Sequence, residues 1–229
     1  MQKTVLALAL FGLGLGVAHA DAVKIGHAGP LTGPIAHIGK DGENGARLAV
    51  EDANAAGVMI AGKKVTFELM GEDDQADPRM ATTAAQRLAD AEVVGVVGHV
   101  TSGASIPASR VYEQAGIPVI TPSATNPKLT RQGYKVTFRV IANDLQQGAA
   151  MAKYAAESLK LTKVAIIDDR TAYGQGLADA FAESLKAYGV QVVGREFTND
   201  KATDFMAILT KIKGQQPDAI FYGGMDAQA

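Results

Sequence analysis

Apolar positions along the chain alternate between two rhythms. Short runs rich in Val and Ile mark strands at Val23–His27, Val65–Met70, Val93–Val97 and Pro118–Thr121. Between them, apolar residues recur at helical spacing: Ala46, Ala49, Val50 and Ala53 before Gly57, then Ala81, Ala84, Ala85 and Leu88, then Ala108, Val111, Tyr112 and Ala115 before Gly116. Asp77-Pro78 supplies an N-cap followed by Pro at the first helical position. The strand segments are continuously apolar rather than alternating. That pattern predicts a parallel sheet with helices on both faces.

A loop rich in Pro, Ser, Thr and Asn follows from Pro122 to Gly133, then an extended run from Val136 to Ile141 that leads to Asn143-Asp144, a good N-cap site. The alternation then restarts. Strands are expected at Lys163–Asp168, Val190–Phe197 and Ala219–Tyr222, with helices near Leu177–Tyr188 and Asp204–Lys213, the last carrying Phe205, Ile208, Leu209 and Ile212 on one face. The reading is two α/β units with a crossover near residues 138–145. The second has only three strands and stops in Gly223–Ala229, a loop and a first helical turn, so a fragment of a longer polypeptide is expected.

Composition narrows the function classes. The 229 residues are 47% hydrophobic, which is too apolar for disorder. A balance of 22 basic against 24 acidic residues gives no basic stripe for nucleic acid. The chain has no Cys, so disulfides, thiolate metal sites and cysteine nucleophiles are excluded. At the N-terminus, Lys3, the apolar run Val5–Val17 and Ala18-His19-Ala20 read as a secretory signal cleaved after Ala20. The run is too short to span about 30 Å of hydrocarbon, so residues 1–20 are expected to be removed and the product exported.

Enzyme motifs come close and fail. Gly57–Lys64 has the glycine spacing of a phosphate-binding loop, but Lys64 stands where Ser or Thr would ligate magnesium, and the order runs from helix to strand. Gly103-Ala104-Ser105-Ile106-Pro107 resembles a nucleophile elbow with Pro in place of the last Gly. With His99 nearby, Ser105 keeps a secreted serine-type hydrolase as the alternative function. Glu72, Asp73, Asp74 and Asp77 lack calcium-loop spacing and read as a solvated loop ending in an N-cap. The four His show no zinc-protease arrangement. No metal, cofactor or catalytic group is expected.

What remains is a set of hydroxyls and small residues after the strands: Thr101-Ser102-Gly103, Ser123-Ala124-Thr125, and Asp169–Gly176 with Tyr173. Ligands of open parallel sheets bind outside the strands' carboxyl ends, where helix N-termini present free N–H groups. Hydroxyls with uncapped amides suit a carboxylate, although Ser102 or Thr125 alone could merely cap a helix or turn.

His27–Pro34, Gly98–Gly103, Ile120–Thr125, the Arg139 region and Tyr173–Gly176 together resemble the leucine/isoleucine/valine-binding proteins, the type I periplasmic substrate-binding components of branched-chain amino acid ABC transporters. The resemblance covers residues 21–229 and implies a two-lobed α/β fold, with an N-terminal ligand-binding lobe at 21–141 and an incomplete second lobe at 142–229. It assigns the Ser102 and Thr125 hydroxyls and amides to the ligand carboxylate and the Ser123 carbonyl to the ammonium. Ala124 lines the backbone part of the site, Val100 and Thr101 its wall, and Tyr173 closes over it. The family's acidic ammonium partner falls beyond residue 229. Ile38 and Met225 stand where members often carry aromatics, which leaves side-chain selectivity open. Ala76 and Thr101 replace a disulfide pair found in some relatives. The implied partners are an amino-acid ligand and a membrane ABC permease, with no nucleic acid, for a periplasmic monomer that binds without chemistry.

Overall fold

The computed structural model describes residues 22–229. The signal expected at residues 1–20 lies outside them. The first half runs β1 (Val23–Gly29), α1 (Ala36–Ala56), a small hairpin of β2 (Met59–Ile60) and β3 (Lys63–Lys64), β4 (Phe67–Asp73), α2 (Pro78–Asp90), β5 (Gly95–Gly98), α3 (Ser102–Ala115), β6 (Val119–Thr121) and β7 (Thr137–Arg139). The second half runs α4 (Asp144–Lys153), a π-helical turn at Tyr154–Ser158, β8 (Lys163–Asp168), α5 (Ala172–Leu185), β9 (Gln191–Phe197), α6 (Met206–Gln215) and β10 (Ala219–Gly223). One parallel sheet has the order β4-β1-β5-β6-β7 and a second the order β10-β8-β9. In the first, the strand order reverses at β1, so the crevice for a ligand lies at the carboxyl ends of β1 and its neighbours.

Local chemistry explains the boundaries. The Asp77 carboxylate accepts from the amides of Arg79 and Met80 at 2.7 and 3.0 Å, and Pro78 opens α2 where its missing N–H costs nothing. Such a cap is worth about 1 kcal/mol. Gly57 ends α1 in the left-handed region, φ 68°, as its place after the last apolar position predicts. The sequence pattern places only the second half of α1, whereas the helix begins ten residues earlier through Gly39, Gly42 and Gly45. These glycines weaken the helical signal, yet Gly39 is required. A Cβ there would collide with the backbone of Pro30, so the residue lets α1 lie directly on the loop after β1.

The α2 face forms as the spacing predicts: Ala81, Ala84, Ala85 and Leu88 are all buried. Packed against it, α3 buries Ala108 and Tyr112 as predicted, together with Ala104, while Val111 is half-buried and Ala115 exposed. In the second lobe Phe181 of α5 stacks on Phe221 of β10 at 3.9 Å between ring centroids. Buried pairs of this kind contribute about 1 kcal/mol beyond their area. On the predicted face of α6, Ile212 is buried and Phe205 and Ile208 are half-buried, Ile208 packing beside Ile212, while Leu209 is exposed.

Two further expectations change. Helices on both faces hold for the central strands, but Ile120 and Phe138, paired neighbours on β6 and β7, are exposed. The acidic cluster is not a solvated loop. Glu72 and Asp73 end β4, and Asp73 accepts from the Leu31 amide at 2.8 Å, while Asp74 is completely buried. The carboxylates tie loops together at the strand ends.

Candidate functional site

The two sheets face each other across their carboxyl ends, leaving a cleft of about 650 Å³ whose walls include Thr32, Ile35 and Gly103 on one side and Arg170, Tyr173 and Met225 on the other. Beside it, a recess of about 140 Å³ is lined from the first lobe by Ile38 near the start of α1, by Val100, Thr101 and Ser102 after β5, and by Ser123 and Thr125 after β6. The second lobe contributes Gln147 of α4, Tyr173 of α5 and Met225 after β10. Eight of the nine residues singled out in the sequence meet at this recess. Ala124 is buried but does not line it.

The polar groups have distinct tasks. Thr101 caps α3, its hydroxyl accepting from the Ala104 amide at 3.3 Å. The Ser102 and Gly103 amides open that helix without intrahelical partners and carry the positive end of its dipole. Ser102 Oγ accepts from the Asn126 amide at 3.1 Å, which leaves its O–H to donate elsewhere. Among the described residues the Thr125 hydroxyl is buried with no partner of regular geometry, and it lies close enough to the Asp144 carboxylate to lower its pKa. The Ser123 and Ala124 amides are already engaged, both donating to Thr121 Oγ1, at 3.2 and 2.9 Å. Free donors therefore concentrate on Ser102, Gly103 and Thr125, and Ile38, Val100 and Met225 form the apolar part of the wall.

Sequence reasoning missed Gln147, which lines the recess, and Asp144, which is buried beside Thr125. Asn143-Asp144 was legible only as a helix start, and Asn143 is that cap, bonded to Leu145 and Gln146 in a capping box. Asp144 is fully buried, neither carboxylate oxygen has a partner of regular geometry, and its amide donates to the Thr125 carbonyl at 3.0 Å. Burial pushes its pKa up, with the Thr125 hydroxyl and the Arg139 guanidinium acting in the opposite direction. Burial also raises the Tyr173 pKa, and Asp144 and Asp169 add to that rise. Gln147 lies three residues beyond Asp144, on the same face of α4. That i, i+3 spacing was the available signal.

The hydrolase alternative does not survive the geometry. His99 Nδ1 pairs with Asp74 Oδ2 at 2.6 Å and Nε2 with the Tyr112 hydroxyl at 3.0 Å, so both ring nitrogens are taken. Ser105 Oγ donates to the His99 backbone carbonyl at 3.2 Å, not to the ring. Both residues are buried. A nucleophile needs a base within reach of its proton, and this serine has none.

A family model for periplasmic binding proteins matches residues 22–229. The chain belongs to the periplasmic binding protein family. An amino acid binding protein of Pseudomonas aeruginosa is 42% identical over all of this chain and 61% of its own length. The Leu/Ile/Val-binding protein BraC3 of Rhizobium johnstonii is 40% identical over 91% of this chain and 56% of its own. Among solved structures, the branched-chain amino acid transporter substrate-binding protein LivJ of Streptococcus pneumoniae, in complex with isoleucine, superposes with a TM-score of 0.78 at 36% identity, covering 87% of this chain and 56% of that one. The chain thus spans somewhat more than half the length of the relatives it matches. The fold is that of a type I periplasmic binding protein, as the sequence resemblance implies.

Proposed function

We propose that the recess binds a small zwitterionic amino acid with an aliphatic side chain, of the leucine, isoleucine or valine kind. The observation that carries this reading is the partition of the recess wall. Unpartnered donors lie on the first lobe at Ser102 and Thr125, and apolar residues flank them at Ile38, Val100 and Met225. A carboxylate takes the donors at the α3 N-terminus, and a short apolar side chain takes the slot. The ammonium is served by the Ser123 carbonyl.

The lobes are taken as residues 21–141 and 142–229. Closure of the second over the first brings Tyr173 onto the ligand, and binding proceeds without chemistry. The protein then acts as a periplasmic monomer, its signal removed after Ala20, and hands its ligand to a membrane ABC permease. The names of the relatives above support this reading.

A thermal melt of residues 22–229 with leucine, isoleucine and valine tests it. Ligand at one hundred times its Kd adds roughly 2.7 kcal/mol of stability. A rise in Tm with one of the three and none with succinate is expected. A cooperative melt that none of them moves would overturn the assignment.

A further inference from the structure

We propose that Thr121, which does not line the recess, is a positioning residue that sets the spacing between the two loops holding the ligand; the proposal rests on the amino-acid site described above. Those loops follow β5 and β6, and the ladder between the strands ends early, with Val97 opposite Ile120. Beyond that pair the backbones of Val100–Ser102 and Ser123–Thr125 are no longer tied by sheet hydrogen bonds. Thr121, the last residue of β6, takes over.

Its hydroxyl is saturated. Oγ1 donates to the His99 carbonyl at 2.7 Å and accepts from the Ser123 and Ala124 amides at 3.2 and 2.9 Å, which uses one donor and two acceptor sites. One buried oxygen thus bends the β6 loop back on itself and fastens it to the β5 loop. On the other side of the ligand groups, Ser102 Oγ accepts from the Asn126 amide. Thr125 lies between these two cross-links and Ser102 forms one end of the second, so their separation follows from both.

The anchor point is itself immobilised. The His99 ring is held by Asp74 and Tyr112, and Asp74 is tied to the end of β1 by its amide on the Gly29 carbonyl at 3.0 Å. A run of buried hydrogen bonds therefore reaches from β4 through His99 and Thr121 to the ligand loop. Ser105 also donates to the His99 carbonyl, at 3.2 Å, but among the described residues its hydroxyl makes no hydrogen bond to the β6 loop. It provides a matched control: both hydroxyls serve the same carbonyl, and only one holds the loop.

The test compares Thr121→Val, Thr121→Ser and Ser105→Ala in the whole chain, reading Tm, isoleucine affinity by calorimetry, and amide hydrogen exchange at Ser123 and Ala124. Thr121→Val is expected to weaken isoleucine binding at least tenfold and to speed exchange at both amides. Thr121→Ser should restore affinity to within about threefold, and Ser105→Ala should lower Tm while leaving affinity and exchange unchanged. Affinity that follows Tm alike in the Thr121 and Ser105 variants would reduce Thr121 to a structural residue and overturn the proposal. If Thr121→Val does not fold, Thr121→Ser and Thr121→Ala are compared by exchange; unchanged exchange at Ser123 and Ala124 in Thr121→Ala overturns it equally. A wild-type chain that binds no isoleucine, leucine or valine counts against the amino-acid site alone, and the exchange data then decide the loop role.

Discussion

The side-chain amide of Asn126, on the first lobe, donates to the backbone carbonyl of Ala172, on the second, at 2.6 Å. Asn126 is otherwise fully committed to its own lobe: its Oδ1 accepts from the Lys128 amide at 2.9 Å, its amide donates to Ser102, and its carbonyl accepts from Arg139 at 3.2 Å. The bond to Ala172 thus couples the carboxylate-binding side of the site directly to the start of α5, one residue before Tyr173. A second cross-lobe pair, His37 with Asp226 at 2.9 Å, is exposed on both sides and contributes little.

Asn126→Ala should therefore favour the open form. A net hydrogen bond is worth about 1 kcal/mol, which corresponds to roughly a fivefold loss of isoleucine affinity. The loss should appear as faster dissociation with nearly constant association, measured by stopped-flow, because the bond forms after the lobes meet. An unchanged dissociation rate would remove Asn126 from the closure step.

Tyr173 reaches the recess from the second lobe and is half-buried against it. Tyr173→Ala should cost isoleucine affinity at least tenfold by removing the ring that covers the ligand. Tyr173→Phe, which keeps the ring, should cost less than threefold. Equal losses in the two variants would mean that the hydroxyl, not the covering ring, matters. Calorimetric titration separates the two outcomes.

The fold was legible wherever local rules and packing agree. The α2 start at Asp77-Pro78 and its buried Ala/Leu face are set by capping and spacing alone, and the structure adds nothing to them. The first half of α1 was illegible because Gly39 serves a contact with Pro30 that no periodicity encodes. Similarly, Thr101, Ser102, Ser123, Thr125 and Tyr173 could be named because they follow strands, and Ile38, Val100 and Met225 through the family resemblance, while the burial of Asp144 could not be foreseen. Its position after Asn143 reads as an ordinary first-turn acid, and only the lobe arrangement removes it from water. His99 and Ser105 were near in sequence, but chain proximity does not orient a ring, and the ring turns toward Asp74.

His27 offers a pH test. It lies on β1, is completely buried, and among the described residues neither ring nitrogen has a partner of regular geometry. Burial holds its pKa below the ordinary histidine value, with Glu43 pulling the other way. The folded protein therefore keeps His27 neutral, whereas the unfolded chain takes up a proton below about pH 6.5. Stability from this group is present above that pH and is lost as pH falls toward the depressed folded value. Between pH 7.5 and 5, Tm should drop in the wild type and drop less in His27→Leu. Parallel profiles for the two proteins would show that another group governs acid sensitivity.

Asp144 has the opposite sign. Its folded pKa is raised by burial, so its contribution to stability is complete below the unfolded carboxyl pKa of about 3.9 and is lost as pH rises through the folded value. Ionising a carboxylate in this buried site, with only Thr125 and Arg139 to offset the charge, costs stability. Asp144→Asn removes that charge and should raise the Tm of the ligand-free protein at pH 7, with the gain shrinking toward pH 4. Asp144 does not line the recess, so isoleucine affinity in the same variant should change less than threefold, measured by calorimetry at pH 7. A variant whose Tm at pH 7 falls instead of rising would show that the carboxylate stabilises the fold through Thr125 and Arg139 rather than straining it.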